Sequence, residues 1–320
     1  MGDIINYRIP GKVSRCKSGS FAAVSATESV NGFVVRPFSG DKIFQFIESS
    51  DSPQNITGSI RTEDVPIYSQ EEYFDLANAY LSNFSNREVD KAILSRIKKI
   101  SFNHSFNSLY NALCEEYPNA FVYLISGDRF GTWIGATPEV LLQAKGEIGF
   151  TMSLAGTKES GKGIEWTEKE RSEQHFVSEF IEKNLDQINC KIISKKGPES
   201  VMAGPVEHLR TDFKFKFPSR KIDDFVELMH PTPAVCGAPR MGAFEMIREL
   251  ECHDRGLYAG FIGVVGEETN LYVNLRCAQL FAEECFLYIG GGLTIDSNPH
   301  SEWLETENKA KTLLNVIEKL

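Results

Sequence analysis

Two acidic segments contain the side chains best suited to bind a cation. Near the carboxyl end, Glu302, Glu305 and Lys309 are spaced i, i+3 and i+7, which places all three on one face of a helix. An earlier segment holds Glu170 and Glu173 at the same i, i+3 spacing. If the two helices met, a bound Mg²⁺ would satisfy carboxylates that otherwise repel one another and take up protons. The spacing alone does not bring them together, and such runs usually form solvated helix surfaces.

Three consecutive glycines at 290–292 precede the C-terminal acidic helix. Glycine carries no side chain to shield its N–H group, so this backbone can come close to a ligand. We predict a turn at these glycines, followed by a helix that begins near Pro299 with Ser297 or Asn298 as its cap. Bare backbone beside carboxylates and a lysine favours a site that takes a cation and an anion together.

One other glycine-rich segment resembles a phosphate-binding loop but lacks an essential atom. Residues 156–163 read Gly-Thr-Lys-Glu-Ser-Gly-Lys-Gly. The hydroxyl that binds magnesium in such loops should follow the lysine, and Gly163 stands there instead. A nucleotide-binding loop is therefore disfavoured.

Composition limits the classes of function. A chain of 320 residues with 42% hydrophobic residues can bury a large core, and its net charge of −10 argues against binding nucleic acid or an anionic membrane. The seven cysteines are scattered and form no CxxC pair, which indicates neither a disulfide framework nor a zinc site. Because no secretory h-region and no apolar run of about 18 residues is present, we expect a soluble, cytoplasmic protein.

The pattern of elements predicts an α+β fold in a single domain, residues 1–320. Many short strands joined by hairpins alternate with helices, which favours this class over a doubly wound parallel sheet. Helices are predicted at 70–86, 105–117, 164–185 and 221–229, with strands at 119–126, 131–135, 139–144, 191–194, 200–203, 212–217, 257–265, 271–281 and 285–289. Residues 1–80 are interpreted as a shortened, β-rich N-terminal part.

Eight short blocks give the chain a resemblance to the chorismate-utilising enzymes. They are residues 91–96, 134–139, 154–157, 168–173, 230–234, 258–263, 275–277 and 290–309, in the order and at about the spacing of that family. The resemblance covers roughly residues 85–320. It implies two large, mainly antiparallel β-sheets packed face to face, with helices on the outside.

The resemblance is closest to the isochorismate synthases, which are isomerases. Family members that add water to the ring carry lysine at the start of the first block, where this chain has Lys91, whereas those that add ammonia carry glutamine. The resemblance implies that Lys91 is the general base that activates water and that Glu139 is the acid that protonates the leaving hydroxyl. Glu139 would then need a raised pKa.

The resemblance also implies a set of ligand-binding residues around Mg²⁺ and the substrate chorismate. Glu173 and Glu302 would hold the metal, with Glu170 and Glu305 as further or water-mediated ligands. The substrate would be held by Gly156 and Thr157 at its ring carboxylate and by Tyr258, Arg276, Gly291, Gly292 and Lys309 at its enolpyruvyl carboxylate. His208 and His230 are assigned to positioning.

Several alternatives stay open at this point. The isochorismate could feed menaquinone, our preferred outlet, or a siderophore. A salicylate synthase would add elimination of pyruvate, an anthranilate or aminodeoxychorismate synthase would need a glutaminase partner, and a non-enzymatic protein would bind Mg²⁺ or a nucleotide only. Lys91 argues against the glutaminase-dependent enzymes, so no such subunit is expected, and we expect a monomer or weak homodimer.

Overall fold

Sixteen strands and six helices make up most of the part of the chain that the computed structural model describes, residues 2–25, 30–50, 56, 64–87, 89–161, 163, 165–204, 206–217 and 222–320. The strands are β1 (Asp3–Arg8), β2 (Arg15–Ser25), β3 (Gly32–Arg36), β4 (Lys42–Glu48), β5 (Lys91–Ser101), β6 (Phe121–Gly127), β7 (Gly131–Thr137), β8 (Val140–Lys145), β9 (Ile148–Glu159), β10 (Ile192–Ala203), β11 (Val206–Lys216), β12 (Gly237–Ala238), β13 (Phe261–Val265), β14 (Glu268–Val273), β15 (Cys277–Leu280) and β16 (Glu284–Thr294). The helices are α1 (Gln70–Arg87), α2 (Phe106–Glu116), α3 (Glu168–Gln187), α4 (Ile222–Met229), α5 (Arg240–Leu250) and α6 (Pro299–Ile317).

Hydrogen bonds join these strands into one continuous sheet. Its order is β10-β11-β9-β8-β14-β13-β3-β4-β2-β1-β6-β7-β15-β16-β5-β12. Every pairing between the described strands is antiparallel. The predicted α+β class with mainly antiparallel strands is confirmed.

The sheet folds back so that its two halves pack face to face. Phe121 on β6 stacks on Tyr272 on β14 with ring centroids 4.6 Å apart, although these strands are far apart in the sheet order. The hydroxyl of Tyr123 on β6 likewise donates a hydrogen bond to Asn274, which follows β14. The two packed layers predicted from the sequence are present, and the structure adds that hydrogen bonding runs continuously from one layer to the other.

The strands of one half are buried on both faces. Along β6, Phe121 and Tyr123 belong to the core between the layers, whereas Val122 and Leu124 belong to a second core beneath α2 and α6. This alternation follows from the two-residue period of a strand. It fixes α6 against β16, and α3 packs on β9.

Within the described residues, no helix is both long and apolar enough to cross a membrane.

Two local predictions have different outcomes. The predicted start of the C-terminal helix is confirmed, because Pro299 opens α6 and the side chain of Asn298 accepts a hydrogen bond from the N–H of Ser301. The predicted turn at 290–292 is wrong, since the three glycines lie inside β16 and pair with β5. A turn was predicted because glycine inside a strand usually weakens or interrupts it.

The segment that resembles a phosphate-binding loop has a different structure. Its first residues, 156–159, end β9, where Lys158 and Glu159 pair with β11, so they do not form a loop that cradles phosphate. Lys162, the lysine of this segment, lies outside the described residues, as does Ile164, the predicted start of the following helix. The described helix begins at Glu168.

Candidate active site

A cavity bounded by β5, β9, β16 and α6 collects most of the predicted site residues. Those that line it are Lys91, Glu139, Gly156, Thr157, Glu173, Tyr258, Arg276, Gly292, Glu305 and Lys309. They come from distant parts of the sequence and meet because the sheet folds back on itself. Four predicted residues, Glu170, His230, Gly291 and Glu302, do not line the cavity.

Lys91 and Glu173 form a nearly solvent-free ion pair in this cavity. Lys91 is the first residue of β5 and is only 1% exposed. Its Nζ lies 3.6 Å from Oε2 of Glu173, on the inner face of α3. A lysine at the start of a strand is ordinarily a surface residue, but here the side chain passes close to Gly292 of β16 and reaches Glu173 on α3.

Among the carboxyl groups that line the cavity, Glu139 has a pKa that is clearly raised by burial. It lies between β7 and β8 and is 2% exposed. Burial raises the pKa of Glu139 to about 8, even though Arg276, Lys91 and Lys309 favour its ionised form. Near neutral pH this carboxyl group therefore carries a proton that it can donate, as the sequence-based assignment required.

A chain of hydrogen bonds links Arg276 to the backbone at Gly156 through His208. The guanidinium of Arg276 donates to Nε2 of His208 over 3.0 Å, and Nδ1 of His208 lies 2.8 Å from the carbonyl oxygen of Gly156. Because arginine can only donate, Nε2 is the acceptor and Nδ1 carries the proton. Burial and the charge of Arg276 lower the pKa of His208 to about 3, so the ring is neutral.

Lys309 is oriented by the strand that it faces. Its Nζ donates to the carbonyl oxygen of Gly290 over 2.9 Å and lies 2.7 Å from Oε1 of Glu305, one turn earlier on α6. Burial opposes ionisation of Glu305, but the charge and hydrogen bond of Lys309 outweigh it and lower the pKa of this carboxyl group. Glu305 therefore stays ionised and forms an ion pair with Lys309.

The glycines of β16 make room for two of the cavity's polar side chains. A Cβ atom on Gly290 would lie 2.6 Å from the Tyr258 hydroxyl, and one on Gly292 would lie 2.9 Å from Cε of Lys91. Gly291 faces the opposite side of the strand, toward Glu302, because successive residues alternate. This corrects the predicted pair Gly291 and Gly292: the side of β16 that faces the cavity is formed by Gly290 and Gly292.

Glu302 lies immediately behind the cavity lining and is held by a lysine that the sequence analysis did not assign. It is 1% exposed, and its Oε1 accepts a hydrogen bond from Nζ of Lys169. Its Oε2 is buried without a hydrogen-bond partner among the described residues. Burial and the nearby Glu305 raise the pKa of Glu302 to about 7, although Lys169 acts in the opposite direction. Lys169 was detectable as the residue four positions before Glu173.

Two further predicted residues are placed elsewhere by the structure. The carboxylate of Glu170 accepts a hydrogen bond from the N–H of Thr167 at 2.8 Å and so caps α3, and Glu170 does not line the cavity. His230 lies 3.3 Å from the carbonyl oxygen of Pro37 and packs against Phe261, outside the cavity lining. A histidine does line the cavity, but it is His208.

Comparisons with known proteins show the family to which the chain belongs. Residues 24–318 match the family model described as Chorismate binding enzyme, and the chain belongs to that family. It is 32% identical over 245 residues to isochorismate synthase EntC of Escherichia coli strain K12, which covers 72% of this chain and 63% of EntC. It is 27% identical over 268 residues to anthranilate synthase component 1 of Aquifex aeolicus strain VF5, covering 78% and 54% of the two chains. The chain thus spans less than two thirds of the length of either relative.

A solved structure extends the agreement to the whole fold. The protein proposed to be the 2,3-dihydroxybenzoate-specific isochorismate synthase DhbC of Bacillus anthracis superposes with a TM-score of 0.82 at 22% identity. The superposition covers 99% of this chain and 96% of that one. This superposition confirms the expected fold, and the family-model match over residues 24–318 confirms the resemblance indicated by the short blocks.

Proposed function

We propose that this protein is an isochorismate synthase, an isomerase that converts chorismate to isochorismate. The main support for this proposal is that Lys91 and Glu139 line the same cavity and that Glu139 keeps its proton at neutral pH. The reaction needs a base for the attacking water and an acid for the departing hydroxyl, and these two side chains supply both.

The proton transfers balance within the site. As the proposed base, Lys91 would accept a proton from the water that adds to C2 of the ring, so it must enter this step as the amine and not as the ammonium of its ion pair with Glu173. Glu139 donates its proton to the C4 hydroxyl, which leaves as water while the ring double bonds shift. The net change moves a hydroxyl from C4 to C2 without a change of oxidation state, so no redox partner is needed.

The cavity also suits a dianionic substrate in an acidic protein. Arg276 and Lys309 bring positive charge to its lining, whereas Glu139 is neutral there at pH 7. Arg276 would hold the enolpyruvyl carboxylate with two N–H groups. The hydrogen bond from Arg276 to His208 would fix the orientation of the guanidinium for this contact. Tyr258 and Lys309 add donors on the same side, and the backbone at Gly156 and Thr157 would receive the ring carboxylate.

The donor groups of this site fit Mg²⁺. Among the described residues, no three His, Cys, Asp or Glu side chains form a ligand cluster by themselves. Mg²⁺ often takes only one or two protein carboxylates and completes its shell with water and substrate oxygens. Glu302, with its buried and unpartnered Oε2, and Glu173 would be those carboxylates. The ion would neutralise the ring carboxylate and draw electron density from the ring.

Lys91 separates this proposal from the ammonia-dependent alternatives but not from a salicylate synthase. An amide at that position could not remove a proton from water, whereas a lysine amine can, so ammonia-dependent synthesis of anthranilate or aminodeoxychorismate is disfavoured. A salicylate synthase would use the same residues for hydration and then eliminate pyruvate, and a non-catalytic Mg²⁺-binding protein would leave chorismate unchanged. Menaquinone remains our preferred outlet for the product, with siderophore synthesis as the other.

The test is to incubate the protein with chorismate and Mg²⁺ and identify the product by mass and absorbance. We expect a product that has the mass of chorismate but a different absorbance spectrum. Loss of pyruvate would identify a salicylate synthase, and no reaction would exclude an enzyme of this class. A Lys91→Gln variant should lose roughly 10²–10⁴-fold in turnover, the range that a general base supplies. A Lys91→Gln protein that still forms isochorismate at the wild-type rate would require another base.

A further inference from the structure

Lys169 bridges the two helices that carry the predicted metal ligands. It lies in the first turn of α3, and its Nζ donates a hydrogen bond to Oε1 of Glu302 on α6. The same Nζ lies 3.8 Å from Oε1 of Glu173, one turn further along α3. The lysine ammonium therefore lies between the two carboxylates proposed to share a metal ion.

The bridge satisfies these carboxylates only in part. Glu302 is 1% exposed, and its second oxygen, Oε2, has no hydrogen-bond partner within the described part of the chain. A buried carboxylate oxygen without a donor is costly, so this geometry leaves room for a ligand that would engage it. Mg²⁺ is such a ligand, because it binds carboxylate oxygens at close range.

A metal ion at Oε2 of Glu302 would lie close to the Lys169 ammonium at Oε1 of the same carboxylate. Both cations are attracted to the same carboxylate, and placed together they would repel each other. The two partners differ in their freedom to move: the Glu302 side chain is enclosed, whereas that of Lys169 is 29% exposed on a flexible stem. The lysine is the group that can swing out to solvent.

We propose that Lys169 is an internal counter-ion that stands in for the metal. In the metal-free protein it holds Glu302 and Glu173 together, and it is displaced when Mg²⁺ binds. This inference rests on the proposed function. Its consequence is that metal affinity is weaker than the carboxylates alone would give, because binding must first break the contacts of the lysine.

The test compares Lys169→Met with Lys98→Met. Methionine keeps the length of the side chain and removes the charge. Lys98 is a matched control, because its side chain is also 29% exposed and its Nζ pairs with Glu307 on α6 at 2.5 Å, outside the cavity lining. Mg²⁺ binding is measured by isothermal titration calorimetry, and the melting temperature is measured in chelator and after Mg²⁺ is added.

We expect Lys169→Met to bind Mg²⁺ at least about fivefold more tightly than wild type, the lower end of typical coupling between two ligands. Its melting temperature in chelator should fall, and Mg²⁺ should raise it by more than in wild type. Lys98→Met should keep the wild-type affinity. Lys169→Arg, which retains a cation, should bind Mg²⁺ no more tightly than wild type, and this variant serves as a check should Lys169→Met fold poorly.

Metal affinity of Lys169→Met equal to or weaker than that of wild type would overturn the proposal. If wild type nevertheless converts chorismate, the proposed function stands and only the role of Lys169 falls. If wild type neither binds Mg²⁺ nor converts chorismate, the proposed function fails together with this inference.

Discussion

The buried carboxyl group of Glu139 links the proposed chemistry to the stability of the fold. Its pKa rises from an ordinary 4.5 to about 8, so the folded protein holds this proton more tightly than the unfolded chain does. As pH rises between these two values the unfolded state ionises first, and each pH unit costs up to about 1.4 kcal/mol of stability. Above about pH 8 both states are ionised and this loss stops.

A Glu139→Gln variant should remove this dependence. We expect wild type to lose more unfolding free energy between pH 5 and pH 8 than the variant does, with urea denaturation as the measurement. The variant should also be inactive, because an amide cannot protonate the leaving hydroxyl. Equal pH dependence in the two proteins would show that Glu139 is already ionised in the fold at neutral pH.

Arg276 tests how the substrate carboxylate is bound. In Arg276→Lys a planar, two-pronged donor becomes a point charge, and the bond to Nε2 of His208 is disturbed. We expect a loss of about 1.5–3 kcal/mol in kcat/KM, mainly through a raised KM, as for a hydrogen bond to a charged group. Steady-state kinetics on chorismate give the answer. Wild-type kinetics would mean that another group binds this anion.

Sequence spacing located single residues better than it located their partners. The i, i+3 pairs pointed to Glu173 and Glu305, and both line the cavity. The spacing could not show whether Glu170 is a metal ligand or part of the helix cap, because a glutamate also fits the third position of a helix capping box. Nor could the spacing show that Lys169 donates a hydrogen bond to Glu302, since these residues are 133 positions apart in the chain.

At the level of elements, β16 shows why the glycine triplet was misread. Glycine is depleted in strands, so three in a row favour a turn when only the local sequence is considered. The reason for glycine here is tertiary: the Tyr258 hydroxyl and the Lys91 side chain cross the strand where a Cβ atom would lie. Helix capping, by contrast, depends on adjacent residues, and the cap at Asn298 was predictable.

Replacement of one of these glycines should therefore disturb the site. In Gly292→Ala the new methyl group would lie 2.9 Å from Cε of Lys91, so the lysine or the strand must shift. We expect a destabilisation of about 1–3 kcal/mol and a marked loss of turnover, as for an overpacked interior position. Gly266→Ala is the control, because its nearest neighbour would be Oδ1 of Asn31 at 3.7 Å. Equal activity in both variants would argue against close contact at Gly292.

At the scale of the whole molecule, the pattern of elements predicted the class of fold but not the continuity of its sheet. Antiparallel hairpins follow from short strands joined by turns, and the two packed layers were implied by the family resemblance. That the two layers belong to one hydrogen-bonded sheet depends on pairings such as β3 with β13, more than two hundred residues apart in the chain. Local patterns carry no information about such pairings.

Because the two halves share one core, we expect them to unfold together. Phe121 is fully buried and stacks on Tyr272 across the layers, so Phe121→Ala should cost about 3–5 kcal/mol, as for other large aromatic deletions. Tryptophan fluorescence and far-ultraviolet circular dichroism should report the same urea midpoint in wild type, and both midpoints should shift equally in the variant. Ile47→Ala, at a half-exposed position on β4, should change stability by no more than about 0.5 kcal/mol. Two separate transitions, with only one of them moved by Phe121→Ala, would show that the halves are independent folding units and that residues 1–320 are not a single domain.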